Sequence, residues 1–317
     1  MNTTGKALRY NNIEYIQPPH GFCPGCGVAL ALRYFLKAVG EKIILVTPPG
    51  CSAPSISFPK PSLVSNDHLI DVVHCPFGSS AVFAGGIKAA LEARGDLETQ
   101  VIACAGDGAT FDIGFGALSA AAQRNENIIY VCYDNEAYMN TGNQRSGSTP
   151  RGSQTTTTVA PDLEGHRDKD LIWIMMGHDV PYAATATIAY PDDLMAKARK
   201  AREIRGFRLF HILTPCVPGW RYPPHLTVKL SKLAVQTGLF PLMELEDGDH
   251  LTLKKKGRTK PLEEYIRLQG RFEGLTNENI SSIQAAVEKR WQRLNRVSQW
   301  QSSPQNSPEC GRKTSGG

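Results

Sequence analysis

Residues 106–141, GDGATFDIGFGALSAAAQRNENIIYVCYDNEAYMNT, constrain the fold more than any other stretch of this chain. The apolar run 101–105 that precedes them, VIACA, reads as a buried parallel strand ending in a turn. Gly106 and Gly108 flank Asp107, which lets the backbone turn tightly and leaves room for a bulky anion. A small-residue helix is expected over 116–124 and a second strand over 128–133, closing at Asp134-Asn135. The unit is β-turn-α-β, and a right-handed crossover puts both strand ends on one edge of the sheet. Asp107 and Asn135, 28 residues apart, can then converge.

A carboxylate, an amide oxygen and a backbone carbonyl brought together suit Mg2+, which takes oxygen ligands in an octahedron and shares them with substrate phosphates. The pattern is similar to that of thiamine diphosphate (TPP) enzymes, in which GDG is followed at about this distance by Asn. GDG by itself also occurs in ordinary turns. After a strand, and with Asp-Asn closing the next strand, it is far more specific.

Helices and strands alternate through most of the chain, which predicts a doubly wound, mostly parallel α/β sheet. Helices are expected over 28–39, 79–94, 171–176 and 191–203, and strands over 43–46, 70–74, 182–188 and 207–213. The Ser- and Pro-rich segment 52–68 reads as a long loop, and 142–158 as a polar loop over the sheet edge. Gly78-Ser79 open a helix whose free N–H groups could hold a phosphate. Four regions follow: an arm (1–19), a cofactor domain (20–225), a C-terminal extension (226–300) and a polar, disordered tail (301–317). The extension should hold a helix over 226–236, a hairpin around Asp247-Gly248, and helices over 261–269 and 277–297.

With 317 residues, 41% hydrophobic and 21% charged, the chain has the composition of an ordinary globular protein. The net charge of +5 comes partly from clusters such as Lys254-Lys255-Lys256 and Arg312-Lys313, read as solvated faces and not as a nucleic-acid site. The start, MNTTGKALRY, lacks the apolar core of a secretory leader, and no apolar run nears the ~20 residues of a membrane span. A cytoplasmic location is expected, and with it metal, cluster or core roles for the eight cysteines in place of disulfides.

Cys23-Pro-Gly-Cys26 presents two thiols from a turn at the start of a helix, where the anionic form is favoured. Cys51 and Cys216 each fall just past the C-terminal end of an expected strand, so four sulfurs can meet on one edge. Four sulfurs complete either a zinc site or a [4Fe–4S] cluster, and the spacing leaves both open. Cys104 and Cys132 sit inside apolar strands and Cys75 borders a turn, so all three read as structural; Cys310 falls in the tail.

Taken together, these motifs resemble the TPP-binding β subunit of 2-oxoacid:ferredoxin oxidoreductases, closest to the pyruvate type. The matching residues include CPGCG at 23–27, GC at 50–51, GDG at 106–108, CYDNEAYMNTGNQRSGSTP at 132–150, TATIAYP at 185–191, TPC at 214–216 and VQTGLFPL at 235–242. The resemblance implies a [4Fe–4S] cluster on Cys23, Cys26, Cys51 and Cys216. It implies Mg2+ on Asp107, Asn135 and the carbonyl of Ala137, with Asn140 near the TPP thiazolium as the catalytic residue. The segment 52–68 and the region beyond about 250 depart from the pattern.

The implied activity is CoA-dependent oxidative decarboxylation of a 2-oxoacid, with electrons passed to ferredoxin or a ferredoxin-like subunit. Pyruvate is the first expectation for the substrate; an aromatic or branched 2-oxoacid such as phenylglyoxylate is the alternative. A zinc-stabilised interaction module would use the cysteines but leave Asp107 and Asn135 idle. TPP enzymes activate the cofactor with a glutamate from a second, pyrimidine-binding domain, for which the chain has no room. A separate α subunit is therefore expected over the edge carrying Asp107, Asn135 and loop 142–158, with further γ and δ (ferredoxin-like) subunits.

Overall fold

The computed structural model of the protein describes residues 13–57, 64–65, 68–158, 163, 169–254 and 258–301. Expectations for most of the arm, most of the tail, Lys255, Lys256 and Cys310 lie outside the described residues.

Eight strands build one sheet: β1 (Ile43–Thr47), β2 (Asp71–His74), β3 (Gln100–Gly106), β4 (Ile129–Asp134), β5 (Tyr182–Thr187), β6 (Arg208–Leu213), β7 (Met243–Glu246) and β8 (His250–Leu253). They run in the order β8-β7-β5-β6-β4-β3-β1-β2. Every pairing from β2 across to β5 is parallel, whereas β7 and β8 add as an antiparallel hairpin on the β5 edge. The sheet thus takes in residues on both sides of position 225.

The apolar runs are buried on both faces because helices cover both faces. In β4, Ile129, Val131 and Tyr133 point to a core shared with α1 (Gly27–Val39). Tyr130 and Cys132 point the other way, to a core shared with α3 (Ser80–Ala93) and α4 (Phe115–Gln123). The first of these layers is completed by α6 (Pro191–Glu203), which starts with Pro191, Asp192 and Asp193 and ends with Lys200 and Arg202, as a helix dipole favours. The second is completed by α5 (Leu171–Met176) and by Val287, Trp291 and Leu294 of the long α10 (Asn277–Gln301).

Two expectations are corrected. Segment 52–68 is not loop throughout: α2 (Ser52–Ser57) follows Cys51 directly, and Val64–Ser65 pairs with His68–Leu69. Pro54 stands in the first turn of α2, where its missing N–H removes no helical hydrogen bond, so Ser and Pro content misled there. The helix expected over 261–269 is only α9 (Glu263–Ile266), and a 3-10 turn, Gly270–Phe272, follows it. These turns pack with α8 (Thr227–Gln236) around Trp220, Tyr265 and Phe272 in a third apolar cluster.

Strand register prepares the site. Gly106 stands opposite Tyr133 and Asp134 opposite Leu213, so the chain leaves β3, β4 and β6 side by side on one edge. The Thr214 N–H then donates to the Asp134 carbonyl (2.7 Å), carrying this alignment one residue past the sheet.

Candidate functional site

Asp107 is 1% exposed and starts a wide helical turn, Gly108–Asp112, that leads toward α4. The expectation that its flanking glycines serve a tight turn is corrected here, since Asp107 itself is helical (φ −56°, ψ −46°) and neither glycine has positive φ. They are small because aromatic rings approach: a Cβ on Gly108 would lie 2.4 Å from the Tyr138 ring, and one on Gly106 3.1 Å from Tyr133. The Tyr138 hydroxyl donates to Asp112 Oδ2 (2.9 Å) and so pins its ring against that turn.

The structure brings Asp107, Asn135 and Ala137 together. One side-chain amide position of Asn135 lies 3.2 Å from Asp107 Oδ1 and 2.7 Å from the Ala137 carbonyl oxygen. With the amide oxygen in that position, the Ala137 N–H donates to it (3.3 Å) and the Asn135 amide nitrogen faces Cys51 Sγ at 3.9 Å. Three oxygens then meet at one point. The other carboxylate oxygen of Asp107 accepts from Ser146 Oγ (2.5 Å) and Ser148 Oγ (3.1 Å). Ser148 Oγ also lies 2.8 Å from Asp134 Oδ1, and the second Asp134 oxygen lies 2.6 Å from His211 Nε2.

Burial, and then the neighbouring Asp134 carboxylate, push the Asp107 carboxyl well above its ordinary range, while the two serine hydroxyls pull it back. Such a carboxyl is either neutralised by a proton or held ionised by a positive charge beside it.

The cysteines assemble from three strand-end and helix-start turns. The Cys26 N–H donates to the Cys23 carbonyl (3.0 Å), closing the turn before α1. The Gly27 N–H donates to the Pro215 carbonyl (3.2 Å), and a Cβ on Gly27 would lie 2.7 Å from the Thr214 carbonyl carbon, so only glycine lets α1 approach β6 there. Cys51 follows β1 and Cys216 follows β6. All four line one cavity of ≈320 Å³. Among the described residues, no three His, Cys, Asp or Glu side chains converge as a single-ion site. Burial first, and then the neighbouring cysteines, push the Cys51 thiol up to about 12. Burial likewise lifts Cys216 to about 12, against the Gly219 N–H.

A second cavity, ≈160 Å³, runs past Gly106, Asp107, Gly108 and Ala137, and Cys51, Asn135 and Asn140 line both. Asn140 is exposed at their junction. Gly78 and Ser79 do not line this cavity; their neighbour Phe77 does, and Gly78 packs on Ile113 and Gly114. Sequence reasoning missed Ser146, Ser148, Asp134 and His211. The first two lie inside QRSGSTP at 144–150, a polar stretch with no periodicity to mark which hydroxyls turn inward.

Comparison with known proteins shows the family. Residues 52–212 match the family model "Thiamine pyrophosphate enzyme, C-terminal TPP binding domain". The chain is 45% identical over 284 residues to pyruvate synthase subunit PorB of Methanothermobacter marburgensis, covering 89% of this chain and 97% of that one. It is 42% identical over 296 residues to ketoisovalerate oxidoreductase subunit VorB of Pyrococcus furiosus, covering 90% and 94%. Its fold is similar to that of a 2-oxoglutarate:ferredoxin oxidoreductase from Magnetococcus marinus (TM-score 0.52, 24% identity, 71% and 82% coverage). The chain belongs to the thiamine diphosphate-binding β subunits of the 2-oxoacid:ferredoxin oxidoreductases.

Proposed function

We propose that this chain holds TPP through Mg2+ and a [4Fe–4S] cluster side by side, and serves CoA-dependent oxidative decarboxylation of a 2-oxoacid with ferredoxin or a ferredoxin-like subunit as acceptor. The observation that carries this reading is the pair of cavities sharing Cys51, Asn135 and Asn140. When bound, TPP supplies an electron sink for the decarboxylation and the cluster a one-electron acceptor.

The residues fit both groups. Mg2+ binds oxygens at 2.0–2.1 Å, so neighbouring ligands in its octahedron stand about 2.9 Å apart; the Asn135 contacts of 3.2 and 2.7 Å bracket that spacing. Asp107, Asn135 and the Ala137 carbonyl would hold the ion, and its charge would offset the Asp107–Asp134 repulsion. A single zinc at ~2.3 Å needs its sulfurs about 3.8 Å apart. Four cysteines lining one cavity of ≈320 Å³ leave room for a group larger than one ion, in keeping with the cluster that the resemblance implies. Clustered thiols lifted toward 12 would ionise only with positive charge among them.

The chain's own residues supply orientation and exclusion of water. Ser146 and Ser148 fix one oxygen of Asp107 so that the other faces Asn135 and Ala137. Asn140 stands where the two cavities join, within reach of a substrate placed there. A glutamate to activate the cofactor would come from a separate α subunit over the edge of Asp107, Asn135 and loop 142–158.

Pyruvate remains the first choice of substrate. The ketoisovalerate relative, at similar identity, keeps a branched 2-oxoacid as the competing choice. The test is viologen reduction by anaerobically assembled enzyme with CoA and each 2-oxoacid in turn. Pyruvate should give the highest rate, and the lone chain should give none. A faster branched substrate would reverse the order, and robust turnover by the lone chain would overturn the split-site reading.

A further inference from the structure

Between the two ligand candidates Asn135 and Ala137 stands Glu136, a non-glycine residue at φ +62°. A side chain there is disfavoured, and such conformations persist only where the surroundings over-determine them. Here they do. The Glu136 N–H donates to Asp134 Oδ1 (2.8 Å), and Thr149 Oγ1 donates to the Glu136 carbonyl (2.7 Å). Arg271 Nη1 lies 2.6 Å from Glu136 Oε2.

Arg271 comes from the C-terminal 3-10 turn, outside the family's matched segment 52–212, and is 2% exposed. Its guanidinium lies 3.8 Å over the Trp220 ring, donates through Nε to Gln269 Oε1 (2.9 Å), and through Nη2 to the Tyr265 hydroxyl (3.2 Å). Trp220 Nε1 in turn donates to the Asn135 carbonyl (2.8 Å). The C-terminal block therefore grips two successive residues of the turn.

A buried ion pair seldom adds stability over an apolar pair of the same size, since both charges lose their water. What this pair does do is tie the side chain of a left-handed residue to the C-terminal block. The left-handed residue reverses the chain, so the Ala137 carbonyl returns to 2.7 Å from the Asn135 amide. We propose that Arg271 is a positioning residue for the diphosphate–cation site: it holds Glu136 left-handed and thereby aims the Ala137 carbonyl. The inference rests on the cofactor reading above, but its effect on the backbone does not.

Two double variants of the assembled enzyme isolate the conformation. Arg271→Met with Glu136→Ala and Arg271→Met with Glu136→Gly both remove the two buried charges together. They differ in whether residue 136 adopts positive φ freely, which glycine does. In the presence of Mg2+, the alanine pair should bind TPP about tenfold or more weaker than wild type, the scale of the left-handed penalty. The glycine pair should stay within about threefold. Hydrogen–deuterium exchange over residues 134–138, measured without cofactor, should quicken in the alanine pair and return toward wild type in the glycine pair. Equal TPP binding and equal exchange in the two variants would overturn the proposal. Failure of the wild type to bind TPP would instead strike the cofactor reading. Arg271 is then judged by exchange in Glu136→Gln with Arg271 kept, where the guanidinium still has an oxygen to hold. That variant should stay near wild type, whereas exchange as quick as in the alanine pair would remove Arg271 from the role.

Discussion

The two halves of the site are built on opposite plans. Around Asp107 nearly every polar atom has a partner: two serines, a second carboxylate and a histidine form a continuous network, buried at Asp107, Asp134 and Ser146 and half-buried at Ser148 and His211. Around the cysteines the wall is turns and apolar atoms, and apart from the distant Asn135 amide on Cys51 the sulfurs meet backbone donors, the Val28 and Ala29 N–H groups on Cys26 and the Gly219 N–H on Cys216. Hard oxygen ligands must be aimed before a small ion arrives, because Mg2+ tolerates little departure from its octahedron. Sulfur ligands to a larger group can be arranged by where chain segments end. The oxygen half should therefore fail gradually as its supports go, and the sulfur half abruptly with loss of a ligand.

The largest effect expected in the oxygen half is from Asp107→Ala, which removes the proposed charged ligand itself. Loss of a buried charge-assisted contact costs about 3 kcal/mol or more, so TPP affinity by calorimetry in Mg2+ should fall at least about a hundredfold. A change below threefold would mean that the metal is held elsewhere.

The sulfur half is tested by Cys51→Ala against Cys75→Ala. Cys51 lines both cavities, whereas Cys75 is buried away from them after β2. Iron and sulfide should fall to less than half in the first variant and stay near wild type in the second. Similar iron in both would break the cysteine assignment.

How much of this contrast the sequence carried follows from distance along the chain. The unit from β3 to Asn135 is a single crossover, so apolar periodicity and turn residues sufficed to bring Asp107 and Asn135 together. The cysteine edge was also legible, because each single cysteine follows a strand. Ser146 and Ser148 were not: a polar loop has no periodicity, and a hydroxyl's partner is decided by how the loop folds back over β3. Glu136 and Arg271 were less legible still, since nothing local marks a glutamate for positive φ or pairs it with a residue from a 3-10 turn.

Ser148→Ala asks whether the oxygen half fails gradually. Its hydroxyl lies 3.1 Å from Asp107 and 2.8 Å from Asp134 and can donate to only one of them at a time. Ser146 still holds Asp107 when Ser148 is gone. A hydrogen bond to a charged group contributes about 1.5–3 kcal/mol, so with that backup TPP affinity should fall about tenfold. Iron content should not change. A hundredfold loss would make Ser148 as critical as the ligand and end the graded picture.

The smallest expected effect belongs to the residue that touches both halves. Tyr133 is buried at the end of β4 and lines the Asp107 cavity. Its hydroxyl also stands 3.1 Å from Ser52 Oγ and 3.4 Å from the Ser52 N–H, directly behind Cys51. In Tyr133→Phe the ring stays, so the cavity wall and the packing against Gly106 remain. Ser52 Oγ also keeps Thr47 Oγ1 at 2.9 Å. What is lost is two long neutral hydrogen bonds from Ser52, each worth about 1 kcal/mol, and neither reaches Asp107, so TPP affinity should change by no more than about threefold. The consequence should instead appear on the sulfur side, as a changed electron paramagnetic resonance line shape of the proposed cluster when reduced, because the Cys51 turn loses its tie to β4 and keeps only the one to Thr47 of β1. If TPP affinity moves by tenfold and the cluster signal does not move, Tyr133 supports the oxygen half alone, and the two halves are joined through Cys51, Asn135 and Asn140.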